Sequence, residues 1–360
     1  MISGFSFDVL KTSTQHKGRA GLLTTPHGVI ETPVFMPVGT QGAVKAVLGD
    51  QLLVEGTQIM LANTYHLLLR PTPDVIEGMG GLHAFMNWDR PILTDSGGFQ
   101  IFSLGALTNM TEKGVVFKSH LDGHLVEMTP ESTIRVQQQF GSDIMMPLDE
   151  CLPSGVSKEV TAASIERTFA WEARCKTYYT ENPGKFSQTL FGIVQGGMYP
   201  DLRQTSAEQI RSLDFFGYAI GGLSVGEGKD DMYPLVESTV AHLPPESPRY
   251  LMGVGVPEDI NAAIESGIDM FDCVFPTRVA RHGSVFSRNG AYNIKRKEFE
   301  RDPSPLEVGC TCYTCQRYSR AYLRHLWRAK EYNALTLLSI HNIHYLIQFV
   351  KQKRQSILAG

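Results

Sequence analysis

Short, unalternating apolar runs punctuate the chain, several of them closing on Gly, Asp or Asn. They are TPVFMPV (32–38), QIMLAN (58–63), PILTD (91–95), DIMMPLD (143–149), TLFGIVQ (189–195), YAIGG (218–222), YLMGV (250–254) and DMFDCV (269–274). Runs of this kind read as strands buried on both faces. Between most of them lie stretches of helical period, over 43–53, 130–140, 158–178, 200–213, 232–242 and 258–265. Strands alternating with helices build a parallel sheet, and eight of them predict an α/β fold closed as a (β/α)₈ TIM barrel. The competing architecture is an open doubly wound sheet, but no G-x-G-x-x-G follows the first strand. Residues 114–127 alternate around Asp122-Gly123, which reads as a hairpin inserted after the third strand. Two further helical patterns, 317–329 and 336–357, follow the eighth. The expected organisation is one barrel domain over 1–360, with a basic zinc-binding subdomain over 284–345 inside it.

Composition adds exclusions. At 360 residues, 42% hydrophobic and 19% charged, the chain is an ordinary globular sequence, neither disordered nor fibrous. It has no apolar run long enough to span a membrane, and MISGFSFDVLK lacks the basic start and apolar core of a signal peptide. A cytoplasmic protein with no membrane partner is therefore expected. The net charge of −4 hides a division. Residues 278–360 carry 15 Lys+Arg against 5 Asp+Glu, whereas the first 277 residues carry 18 against 32. A basic C-terminal fifth on an acidic body suits a local polyanion site, although a merely solvated basic face has the same composition.

Cys310, Cys312 and Cys315, followed by His341, form the most specific local pattern. Three thiolates and one imidazole close a tetrahedral zinc site with no open position, which implies a structural ion. His344, one turn further on, is the rival fourth ligand. In a barrel, the C-terminal ends of the strands carry the chemistry. Here they present Asp95, Asp149, Gln195, Gly221-Gly222 and Asp272. Three carboxylates around one mouth suit nucleophilic and acid–base work at a sugar carbon, while any one of them alone could be a helix cap. Phe99 and Met252, near strand ends, could sandwich a flat heterocycle or simply fill the core.

The segments Asp95-Ser-Gly-Gly-Phe-Gln100, Val194-Gln-Gly-Gly197, Ala219-Ile-Gly-Gly-Leu-Ser-Val-Gly-Glu227 and Phe271-Asp-Cys-Val-Phe-Pro-Thr-Arg278 resemble the tRNA-guanine transglycosylases. So do the Cys₃His set and the Ser319-Arg-Ala-Tyr-Leu323 helix start. The resemblance runs over essentially the whole chain and implies a zinc-bearing barrel that forms a homodimer. It further implies a base exchange in queuosine biosynthesis. Guanine at the wobble position of a G-U-N anticodon (Asp, Asn, His and Tyr tRNAs) leaves, and 7-aminomethyl-7-deazaguanine takes its place.

By the same resemblance Asp272 is the nucleophile that forms a covalent ribose intermediate, and Asp95 is the proton acceptor. Asp149, Gln195 and the Gly222 amide would read the base edge, and Phe99 and Met252 would stack on its faces. Ser96, Gln100 and the Leu223 carbonyl complete the pocket. Arg278, Arg281 and the Lys295-Arg296-Lys297 run would hold the anticodon loop, presented as single-stranded RNA. Cys151 and Val225 match the bacterial type of the family. Exchange with queuine as the incoming base is the alternative. A retaining glycoside hydrolase would explain the carboxylates but neither the zinc set nor the charge division. A catalytically silent RNA-binding subunit would be expected to lack Asp272.

Overall fold

The structure is a computed structural model and describes residues 4–104, 108–224 and 226–360. Eight strands close a parallel barrel: Val34–Gly39, Met60–Ala62, Ile92–Thr94, Ile144–Met145, Thr189–Val194, Gly217–Ile220, Arg249–Leu251 and Met270–Cys273. Each lies within one of the eight apolar runs or overruns it by a single residue. Closure is made by the eighth strand pairing with the first, from Met270 opposite Val34 to Cys273 opposite Pro37. Inward-facing residues such as Met36, Leu61, Leu93, Ile144, Ile193, Tyr250 and Met270 pack into one buried cluster. A surrounding layer of helices covers the outer faces, so the strands read as continuous apolar runs rather than alternating ones.

The helices start and stop on local signals. Pro130–Phe140 has Pro at its first turn, a reciprocal Thr129–Ser132 capping box, and Gly141 at φ +68 to end it. Lys158–Glu181 is capped by Ser157, and Pro200–Arg211 and Pro257–Glu265 both open on proline. The expected helix over 43–53 is shorter, Gly49–Val54. Its early periodicity belongs to Val44 and Val47, which are buried from a turn in which Gly42 and Ala46 both take positive φ.

Three features lay outside the sequence reading. The connection between the second and third strands folds as three one-turn helices, Thr64–Leu69, Pro73–Gly78 and Gly81–Met86. The predicted hairpin is Gly114–Lys118 paired with Leu125–Met128, and Thr108–Thr111 adds a third strand to it. The chain also begins with an antiparallel sheet, Ser6–Thr12, Arg19–Thr25 and Gly28–Thr32. Its Leu23 and Ile30 join the barrel-interior cluster, so this sheet plugs the end where the strands start.

Charged anchors hold that plug. Arg19 grips Asp269 with two guanidinium nitrogens, Nε at 3.0 Å and Nη2 at 2.5 Å, and both side chains are buried. Asp143, at the foot of the fourth strand, accepts from the Ile92 amide at 2.8 Å and from His27 Nδ1, also at 2.8 Å. The final helix, Tyr332–Ala359, runs the length of the barrel wall, and its Arg354 donates to the carbonyls of Gly21 and Thr32. No helix among the described residues is long and apolar enough to cross a membrane.

Removing one partner of a buried ion pair strands the other charge. Asp269→Ala should therefore cost about 3–5 kcal/mol in denaturant unfolding. A loss below about 1 kcal/mol would mean that the Arg19 guanidinium finds solvent without it.

Candidate active site and metal centre

Every strand-end residue singled out above lies at the same mouth of the barrel. Asp95 is the first residue past the third strand. Its carboxylate accepts from the Thr64 amide at 2.8 Å and from Asn63 Nδ2 at 2.5 Å, both just past the second strand. Burial raises Asp95 to about 7; the Thr64 and Gly97 amides oppose the rise, and the charges of Asp272 and Asp149 add to it. Such a group can hold or release a proton near neutrality.

Asp272 lies inside the eighth strand. Tyr250, from the seventh strand, donates its hydroxyl to Asp272 Oδ1 at 2.5 Å, and the Gly253 amide donates to the same oxygen at 2.8 Å. Oδ2 takes neither bond. Burial raises the Asp272 carboxyl, against the pull of those two donors. Tyr250 is held well above the usual phenol range by burial and by the Asp272 charge, so it stays protonated and keeps donating.

The third carboxylate, Asp149, belongs to a hydrogen-bonded triad. Ser96 Oγ donates to Asp149 Oδ1 at 2.9 Å, and Gln195 Nε2 donates to Oδ2 at 2.7 Å. Burial raises Asp149 as well, with Ser96 and Gln195 holding it down. Backbone must come close here. A Cβ on Gly98 would lie 2.8 Å from the Asp149 carbonyl oxygen, and one on Gly222 would lie 2.4 Å from Gln195 Oε1. Gly222 also has φ +64, and its amide faces the buried Cys151 thiol. Phe99 is 48% exposed at the start of its helix, which removes the core reading of this residue; Met252 is half-buried against the barrel interior. The Gln100 Oε1 oxygen is buried and has no hydrogen-bond partner among the described residues. Leu223 is buried, and Val225 lies outside the described residues.

The positively charged candidates sit nearby in sequence, on the short helix Phe275–Ala280 and beyond it. Arg278 and the 295–297 run are exposed; Lys295 Nζ stands 4.1 Å over the Trp327 ring, and Arg296 pairs with Glu298 at 3.5 Å. Arg281 is half-buried, and its Nη1 has no hydrogen-bond partner among the described residues.

Cys310, Cys312, Cys315 and His341 converge on one point and could hold a metal ion. The three sulfurs lie 3.8, 3.6 and 3.3 Å from His341 Nδ1. Tetrahedral zinc bonded to sulfur and imidazole nitrogen would set that separation at about 3.6 Å. His341 Nε2 lies 2.9 Å from the Phe286 carbonyl, which fixes the tautomer and turns Nδ1 to the thiols. The donor set is therefore compatible with zinc. His344 also neighbours Cys310, but its Nδ1 lies 2.6 Å from Glu55 and its Nε2 3.2 Å from Thr311, whereas His341 converges with all three sulfurs, so the choice between the two imidazoles falls on His341. Around the cluster, Val285, Ile294, Phe299, Leu306, Leu323 and Leu338 make a hydrophobic core apart from the barrel's.

Sequence reasoning missed Asn63, Thr64 and Tyr250, which hold the Asp95 and Asp272 carboxylates. The strand-end rule that found Asp95 would also have found Asn63. Tyr250 carried a weaker signal, a hydroxyl in an otherwise apolar strand, which needs a buried partner.

A family model described as queuine tRNA-ribosyltransferase matches residues 14–360. The queuine tRNA-ribosyltransferase of Natranaerobius thermophilus is 52% identical over 352 residues, covering 98% of this chain and 94% of that protein. The protein of the same name from Fusobacterium nucleatum is 53% identical over 343 residues, covering 95% and 91%.

Two outcomes are expected from this geometry. Asp272→Asn removes a charge that raises Asp95, so the Asp95 midpoint, read by NMR of ¹³C-labelled aspartate, should move below about 7; an unmoved midpoint would leave burial as the sole cause. Cys312→Ser should lose stoichiometric metal in elemental analysis and open residues 284–345 to proteolysis, whereas full metal content would refute the Cys₃His set.

Proposed function

The chain belongs to the queuine tRNA-ribosyltransferase family, and on that premise we propose that it is a pentosyltransferase that exchanges guanine at the wobble position of G-U-N anticodons for 7-aminomethyl-7-deazaguanine. The observation that carries the reading is the pairing of Asp272, its Oδ1 tethered by Tyr250 and Gly253, with Asp95 poised at about 7.

Asp272 Oδ2 attacks C1′ of the ribose, and the C1′–N9 electron pair leaves with guanine, which takes the proton held by Asp95. The incoming base returns a proton to Asp95 and displaces the carboxylate from C1′. Two displacements retain configuration, and the ester keeps the sugar activated while the bases change places. A group near neutrality serves both proton transfers, because neither form is far from its working range.

Recognition follows from donors and acceptors. Asp149 accepts from the ring N–H and exocyclic amine of a guanine-type edge; Gln195 and the Gly222 amide donate to its carbonyl. Phe99 and Met252 stack on the two faces, and Ser96, Gln100 and Leu223 line the rest. Arg278, Arg281, Lys295, Arg296 and Lys297 hold the anticodon loop, for which the unpartnered Arg281 Nη1 is the supporting detail. The same proposal reads residues 284–345 as a subdomain held by one structural zinc ion, in a cytoplasmic homodimer that accepts the Asp, Asn, His and Tyr tRNAs.

Queuine is the second reading for the incoming base, favoured by the name that the relatives carry. An exchange assay separates them. tRNA charged with radiolabelled guanine is incubated with 7-aminomethyl-7-deazaguanine, queuine or neither. Release driven by the aminomethyl base is expected; release by queuine alone keeps the chemistry and changes the substrate. Asp272→Asn should abolish release and remove the denaturation-resistant RNA adduct, and retained turnover would overturn the assignment.

A further inference from the structure

We propose that Arg203 is a positioning residue that fixes which way the Gly222 amide points, and so makes the site select a carbonyl rather than an amine on the base. This rests on the reading of Gly222 as a base donor given above.

Arg203 stands in the helix Pro200–Arg211, behind the strand-end ring, and is 0% exposed. Its side-chain hydrogen bonds among the described residues go to backbone carbonyls of the loops that follow the fifth and sixth strands. Nε donates to Gly197 at 2.8 Å; Nη1 and Nη2 both donate to Gly221 at 3.3 Å; Nη2 also donates to Gly222 at 3.3 Å. The loop wraps the arginine closely, since a Cβ on Gly196 would lie 2.7 Å from its amide nitrogen and 2.8 Å from its Cγ. A planar trans peptide points its C=O and N–H in opposite directions. Gripping the Gly221 oxygen from behind therefore turns the Gly222 N–H forward, to the side where Cys151 lies. The Gly221 amide is separately tied to the Val194 carbonyl at 3.0 Å, so the Gly221–Gly222 pair is held at both ends.

A side-chain donor on either glycine could not substitute, because each Cβ would meet Gln195 within 2.6 Å. The guanidinium charge also polarises the peptides it grips, in a setting where water does not screen it. Glu227 attracts the cation electrostatically, which helps retain a charge that burial opposes. An N–H fixed in this direction rewards an acceptor oxygen on the base and leaves an opposing amine unpaired, the kind of mismatch that discriminates strongly.

The test compares Arg203→Lys and Arg203→Gln with the unaltered enzyme. Exchange kinetics give KM and kcat for the incoming base, and competition gives the preference for guanine over 2,6-diaminopurine, which carries an amine in place of the carbonyl. Arg203→Gln should raise KM about tenfold, lower kcat less, and narrow the guanine preference about tenfold; Arg203→Lys, which keeps the charge and one donor group, should recover part of both. An unchanged KM and preference in folded Arg203→Gln would overturn the proposal. So would parallel loss of kcat and KM with a lowered melting temperature that Arg203→Lys does not rescue, since that is mere structural damage. If the unaltered enzyme releases no guanine with any base, the exchange reading itself fails instead.

Discussion

The site depends on one backbone pairing, that of the eighth barrel strand with the first. Parallel strands place all their C-terminal ends on one side, and closure turns that side from a line into a ring. Met270 opposite Val34 and Cys273 opposite Pro37 set the register that brings Asp272 round to the neighbourhood of Asp95, 177 positions earlier in the chain. An open sheet of the same eight strands, cut at that seam, would leave Asp272 on an edge strand and Asp95 five strands away, past the third. The plug at the other end guards this closure, because Asp269, which receives Arg19, immediately precedes the eighth strand.

Gathering three carboxylates at one buried mouth works against their ionisation, and the surroundings answer differently for each. Asp149 is met by two side-chain donors, Ser96 and Gln195; Asp272 by a phenol and an amide on one oxygen; Asp95 by an amide and Asn63. Desolvation dominates at all three and leaves Asp95 near neutrality. A difference in environment, rather than in residue type, separates their capacities for chemistry.

The last helix joins parts that the barrel alone would leave independent. His341 closes the Cys₃His set, and Asn342 accepts from the Phe286 amide while donating to the Pro276 and Ser284 carbonyls. One turn on, His344 meets Glu55, whose other oxygen takes the Tyr313 amide. Near its end, Arg354 reaches the N-terminal sheet. A metal ion at 341 would thus be coupled by one rigid rod to the wall of the barrel and to its plug, and also to the segment that carries Arg278 and Arg281.

Hydrophobic periodicity and local spacing were enough to read the eight strands, most of the helices, the Cys₃His set and the ring residues Asp95, Asp149, Gln195 and Asp272. Those features are written locally, in runs buried on both faces and in ligands a few residues apart. The N-terminal sheet was not legible, because its strands, one largely exposed, one largely buried and one mixed, share no common pattern and lie against the barrel's end. Three further matters belong to the folded molecule alone. They are the exclusion of His344 as the rival to His341, the tethering of Asp272 by Tyr250 and the grip of Arg203 on Gly221. Each joins residues far apart in the chain, or chooses between two chemically equal side chains. Such contacts have no period and no motif, so only the closed barrel and the helix laid along it bring them into being.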